Sequence, residues 1–178
     1  MTYFKTDRYE IVRLLVTQIA MTMFGLVTAL AVASNSTLQL LAGLLAVGLY
    51  FFLVYNSLWH IGAKDRVKID AGRMETDLLK PVYMALFANI PNFIAALLRL
   101  FELGQGNFCD NVGGIGRVLS LCLQGYWLAL GKIMNLLDNP FTFLVTPFLM
   151  IGVAFLGYYA GNRNFRVFPE KKNKKDGK

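Results

Sequence analysis

The sequence predicts an all-α integral membrane protein with four transmembrane helices plus one amphipathic interfacial or re-entrant helix, and three observations carry that prediction. The chain's 178 residues are 56% hydrophobic and only 16% charged, and a mean hydropathy of +0.47 is too apolar for a water-soluble domain of this length. Four apolar segments each reach the roughly 20 residues that cross a hydrocarbon core of about 30 Å. Fifteen of the eighteen lysines and arginines lie in three clusters flanking those segments, which is how charge is distributed when it orients helices in a bilayer.

The four spans run over about 11–34, 37–59, 79–101 and 141–161. The first ends in "ALAVAS", whose small-x-small pattern resembles a signal-peptidase site. Its apolar stretch is longer than the roughly 7–15 residues of a signal h-region, so it reads as a retained first span with no cleaved signal peptide. The uncharged turn "SNST" joins it to the second.

The positive-inside rule orients the set. Lys5, Arg8 and Arg13 precede the first span, Lys64, Arg66, Lys68, Arg73 and Lys80 lie between the second and third, and seven cations follow from Arg163 onward. All three clusters belong on the cytoplasmic side of the cell membrane, which requires an even number of crossings and puts both termini inside. Residues 1–162 then form a single polytopic domain and 163–178 a basic cytoplasmic tail.

Residues 115–137, "IGRVLSLCLQGYWLALGKIMNLL", decide the topology. At 100° per residue Arg117, Ser120, Gln124, Gly131, Lys132 and Asn135 share one face, and Leu119, Cys122, Leu123, Tyr126, Leu130 and Ile133 largely share the other. The pattern predicts one amphipathic helix in the outer interface or folded back as a re-entrant piece. A fifth crossing would put the seven-cation tail on the wrong face. Asn139 is placed to cap the helix that Pro140 opens.

The third span carries the candidate site. Asn89, Asn92 and Arg99 fall within an arc of about 80° on one helical face, and Pro91 frees a backbone carbonyl in the same region. Asparagine amides facing lipid would be costly, so this face must look into the protein. Gln18, Thr17 and Asn56 on neighbouring spans are the expected cross-helix partners, which makes Gln18, Asn56, Asn89, Asn92 and Arg99 the candidate intramembrane polar group. Arg99, near the outer end, is expected to snorkel to the headgroups or to pair with Glu102.

Small residues recur at four-residue spacing at Gly25, Ala29 and Ala33, at Ala42 and Ala46, and at Gly157 and Gly161, which allows close helix approach. In the 60–80 loop, Lys64, Arg66, Lys68 and Arg73 are the candidate contacts for anionic lipid headgroups or a partner. Their alternation with Asp65, Asp70, Glu75 and Asp77 suits a salt-bridged loop, and "TD" at 76–77 offers caps for the third span.

Chemistry finds little support. Two cysteines, Cys109 and Cys122, and one histidine, His60, match no zinc spacing and no disulfide framework. No cofactor and no metal are expected. His60 beside Trp59 reads as an interfacial anchor, and Cys109 next to Asp110 has no histidine on its side of the membrane. The basic charge follows topology and does not point to nucleic acid. The leading expectation is a non-enzymatic subunit of a membrane complex, working with itself or a partner through its small-residue faces and basic loop. The alternatives are a small transporter or channel with its site at the kinked third helix, and a lipid-modifying enzyme.

Overall fold

The structure, a computed structural model, describes residues 3–75 and 77–163, with side chains from Arg8 onward. The basic tail beyond Arg163, the side chain of Lys5 and the cap residue Thr76 lie outside the described residues. All regular structure among the described residues is helical: α1 (Tyr3–Ala31), α2 (Ser36–Asp70), α3 (Lys80–Ala88), α4 (Ile90–Arg99), α5 (Asn107–Leu123), α6 (Leu128–Ile133) and α7 (Pro140–Asn162). Two 3₁₀ turns, Leu100–Leu103 and Gly125–Trp127, follow α4 and precede α6. Within α1, α2 and α7, three stretches are long and apolar enough to cross a membrane, and the bent pair Lys80–Ala88 with Ile90–Leu103 makes a fourth if taken as one span.

The first two helices form a tight hairpin. Asn35 caps α2 by accepting from the N–H groups of Thr37 and Leu38 at 3.0 and 3.2 Å, which satisfies donors that a helix start leaves open. The second helix then runs well past the expected boundary near 59. Its 35 residues span about 52 Å at 1.5 Å per residue, so half of the expected cytoplasmic loop is helical. Charge pairs explain the extension, since Arg66 holds Asp70 at 2.9 Å and Lys68 holds Asp65 at 3.3 Å, the spacings that stabilise exposed helical turns.

The fourth apolar helix lies parallel to the second along a seam without side chains. A methyl on Gly157 would sit 2.5 Å from the Tyr55 carbonyl oxygen, one on Gly161 2.1 Å from that of Trp59, and one on Gly62 2.3 Å from that of Tyr158. Only glycine allows backbones this close. Because α7 follows the direction of α2, its carboxyl end lies at the same end of the molecule as Asp70. Arg66 closes that end, donating to the last helical carbonyl, Asn162, at 2.8 Å.

The apolar stretch expected as the third span is broken, as Pro91 implies. Its halves meet at Asn89 with a 55° bend. At the far end the chain reverses, and α5 packs antiparallel to α4. Methyls on Gly113 and Gly116 would strike the backbone nitrogens of Glu102 and Arg99 at 2.7 and 2.2 Å, so these glycines form the packing face of α5, which begins at Asn107, ahead of the expected start near 115.

The expected continuous helix over 115–137 is two helices. The chain breaks at Gln124, which leaves helical geometry with φ −123° and ψ 31°. The break has a tertiary cause: Gly125 is wedged against α1, where an added methyl would lie 2.9 Å from the Thr22 carbonyl oxygen. Beyond it Tyr126 stacks on Tyr50 with ring centroids 4.2 Å apart, and Leu130 packs on Gly43. Counting from Ser36, these contacts lie about 21 Å and then about 10 Å along α2. The segment 107–139 therefore dives between the helices and returns, without passing through to the other end.

The core is apolar, with Leu14, Met21, Val54 and Leu58 in it, but the outward faces are apolar as well, and several polar side chains are buried. On α1 the side chains of Gln18 and Thr22 are buried while Val12, Val16, Met23, Val27 and Leu30 are exposed. The same holds on α5, where Ser120 is fully buried and Ile115 and Val118 face outward.

Candidate functional site

Polar side chains from four helices gather in the interior. Asn89 stands at the break of the third span, where its side-chain amide donates to the Ala85 carbonyl at 2.9 Å and also contacts the sulfur of Met150 on α7. Asn92 donates to Asn89 Oδ1 at 2.7 Å. These two candidates come together as expected, but their partners are each other and α7 rather than Gln18, Thr17 or Asn56.

Gln18 is buried on α1 and donates to the Leu123 carbonyl at 3.4 Å, beside Thr22, which donates to the same oxygen at 2.8 Å. They serve the carboxyl end of α5, where a helix leaves carbonyls open. Asn56 is exposed on α2 and belongs to no part of this cluster.

Arg99 corrects an expectation. It does not snorkel: its side chain has no exposed surface. Its guanidinium lies over the Phe143 ring, 4.3 Å from the centroid, and Nη2 donates to the Leu137 carbonyl. The expected pairing with Glu102 is present at 3.4 Å from Nε, without the alignment of a hydrogen bond. Nε and Nη1 find no hydrogen-bond partner among the described residues.

Pro147 escaped the sequence reading, and Ser120 and Gln124, read there on the polar face of 115–137, join the interior with it. Pro147 lies inside α7 and has no N–H for the carbonyl four residues earlier, that of Phe143. Gln124 supplies the missing donor, its Nε2 lying 3.0 Å from that oxygen. Ser120, one turn before Gln124, is fully buried. The available signal was a proline inside an apolar span and a lone glutamine before a glycine. Among the described residues no hydrogen-bond partner is found for Gln18 Oε1, Asn92 Oδ1, Ser120 Oγ, Gln124 Oε1 or Trp127 Nε1. Buried polar atoms are ordinarily satisfied, so each of these is a place where water or another polar group would complete the interior.

No family model, no curated protein and no solved structure matches this chain.

The basic loop residues separate into two kinds. Arg66 and Lys68 are engaged by Asp70, Asn162 and Asp65, whereas Lys64 and Arg73 are exposed and make no ion pair among the described residues. Asp65 is the centre of this end. It is 1% exposed, takes the Lys80 ammonium at 2.8 Å and lies 3.3 Å from the Tyr158 hydroxyl, which donates to it. One carboxylate thus ties α2, α3 and α7 together. Asp77 does not cap α3: the cap residue is Leu79, which makes no side-chain cap bond, and Asp77 accepts from the Leu79 N–H at 3.0 Å in the turn before it.

His60 is exposed near the Asp65 end of α2, and Cys109 packs on Gly104 at the opposite end of the molecule.

Proposed function

We propose that this chain is a four-span protein of the cell membrane, with both termini cytoplasmic and residues 107–139 forming a re-entrant segment from the outer face, and that it binds a small polar solute in its interior as a carrier or channel. The observation that carries the reading is the meeting of two interrupted helices in one buried polar region. The third apolar stretch breaks at Asn89 and α5 ends at Gln124, and Asn92 Oδ1 and Gln124 Oε1 lack partners among the described residues. Interrupted helices near mid-membrane are where transport proteins build ligand sites. Non-helical backbone at that depth is tolerated where protein buries it, and Gly125 and Tyr126 are buried.

The membrane setting is supported by the outward apolar faces and inward amides of α1 and α5, since such a distribution would be unstable in water. Four crossings are supported by the parallel course of α2 and α7. It gathers Arg8, Arg13, Lys64, Arg73 and Arg163 toward one end, as the charge rule requires.

A second reading, a non-enzymatic subunit working by association, rests on exposed Lys64 and Arg73, which are available to anionic headgroups or an acidic partner. The small-residue faces contribute less to it, because Gly25, Gly157 and Gly161 are consumed by contacts inside the molecule.

Single cysteines at Ser36, Asp110 and Lys64 on a cysteine-free background test the topology. The first two should label from outside and the third only after permeabilisation. In proteoliposomes Asn92→Leu should abolish solute flux with folding retained. Loss of stability alone would assign Asn92 to packing.

A further inference from the structure

Arg99 does not spend its donors as a structural arginine would. A guanidinium carries five N–H groups, and burying it is costly unless charge and hydrogen bonds compensate. Here one nitrogen holds the Leu137 carbonyl, the Phe143 ring covers one face, and Nε and Nη1 have no hydrogen-bond partner among the described residues. The carboxylate at hand, Glu102, approaches to 3.4 Å while keeping 23% of its side chain exposed. It neutralises Arg99 and retains a route to solvent.

Resting on the reading of the interior as a solute site, we propose that Arg99 binds the carboxylate of a small monoanionic solute entering from the outer face, and that Glu102 occupies the solute's place until it arrives. Exchange of one carboxylate for another keeps the buried region at one positive and one negative charge. A phosphate dianion would leave a buried excess of negative charge, which a low-dielectric site opposes. A chloride ion brings a single centre, whereas a carboxylate offers two acceptor oxygens to the separate N–H groups of the guanidinium. The surroundings suit such a guest. Phe143 offers an apolar ring, and its carbonyl is held by Gln124, whose Oε1 is open among the described residues, as is the Ser120 hydroxyl one turn away. The outer cover is the turn between α6 and α7, where Leu137 accepts from Arg99 and the adjacent Asp138 pairs with exposed Arg117 at 2.9 Å.

The test is equilibrium binding of acetate to the purified full chain in detergent near neutral pH, read by thermal shift and by tryptophan fluorescence against chloride at equal ionic strength. Acetate should bind saturably, Glu102→Gln should bind it at least threefold more tightly because the resident competitor is gone, and Arg99→Lys at least tenfold more weakly. Because Arg99→Lys can fail to fold, Glu102→Gln is the decisive variant: unchanged or weaker acetate affinity overturns the proposal. An equal response to inorganic phosphate or chloride also overturns it. Acetate binding without flux in proteoliposomes would remove the transport reading and leave this one standing, whereas flux of neutral solutes without acetate binding would remove this one alone.

Discussion

Gln124 donates its side-chain amide to the Phe143 carbonyl at 3.0 Å, the backbone acceptor that Pro147 leaves without a helical donor four residues on. The pair joins the end of α5 to α7, and it makes each residue's effect depend on the other. Gln124→Leu should destabilise the protein by about 1–2 kcal/mol, the range for interhelical polar contacts in model membrane systems. In a Pro147→Ala background the helix supplies its own donor, so the same change should cost measurably less. A double-mutant cycle from unfolding in mixed detergent micelles reads the coupling, and additivity would remove the assignment.

The α2–α7 seam makes a steric prediction. Gly161→Val places side-chain atoms where the Trp59 carbonyl already stands, 2.1 Å from an added methyl, and should cost more than about 2 kcal/mol or prevent folding, as overpacking does. Gly152→Ala, on the same helix with nothing within 4 Å, should be neutral or slightly stabilising. Thermal unfolding of the two variants side by side gives the contrast.

Asp65 predicts an asymmetry between single and double substitution. Asp65→Asn removes the carboxylate from beside the buried Lys80 ammonium and should cost about 3–5 kcal/mol, as breaking a buried ion pair does. Asp65→Asn combined with Lys80→Met takes away both charges and should recover a large part of that loss. A double variant no more stable than Asp65→Asn would show that the charge pair is not what joins these helices.

Cys122, left as the sole native cysteine by Cys109→Ala, reports on where α5 lies. It is exposed on the apolar face of α5, near that helix's carboxyl end. In sealed vesicles it should resist a charged, membrane-impermeant thiol reagent, while Asn107→Cys at the outer start of α5 reacts; detergent should expose both. Rapid labelling of Cys122 from the aqueous side would place α5 along the surface and end the re-entrant reading.

The long apolar helices and the break at Pro91 were legible in the sequence because length, apolarity and a missing N–H are local properties. The continuation of α2 to Asp70 was partly legible, since Arg66 and Asp70 stand at helical spacing within a stretch that charge alone marked as a loop. The break at Gln124 was not, because the apolar periodicity of 115–137 runs through it without interruption. What stops that helix is contact with α1, where Thr22 and Gln18 take the Leu123 carbonyl. Arg99 was legible in part: its pairing with Glu102, three residues on, is local, whereas its burial was not, because its other partners, Leu137 and Phe143, lie about forty residues away. Asn89 and Asn92 were correctly turned inward by the cost of exposed amides in lipid, though which groups they would meet depended on how α7 returns.

The hydrogen bonds at Leu123 also impose an order on assembly. Thr22 and Gln18 stand 101 and 105 residues before the carbonyl they serve, so they leave the ribosome long before it does, while Phe143 and Met150 on α7 emerge after it. The full set of contacts around Leu123 and Gln124 therefore exists only once both α1 and α7 are in place, so residues 107–139 are held by partners from the two ends of the chain.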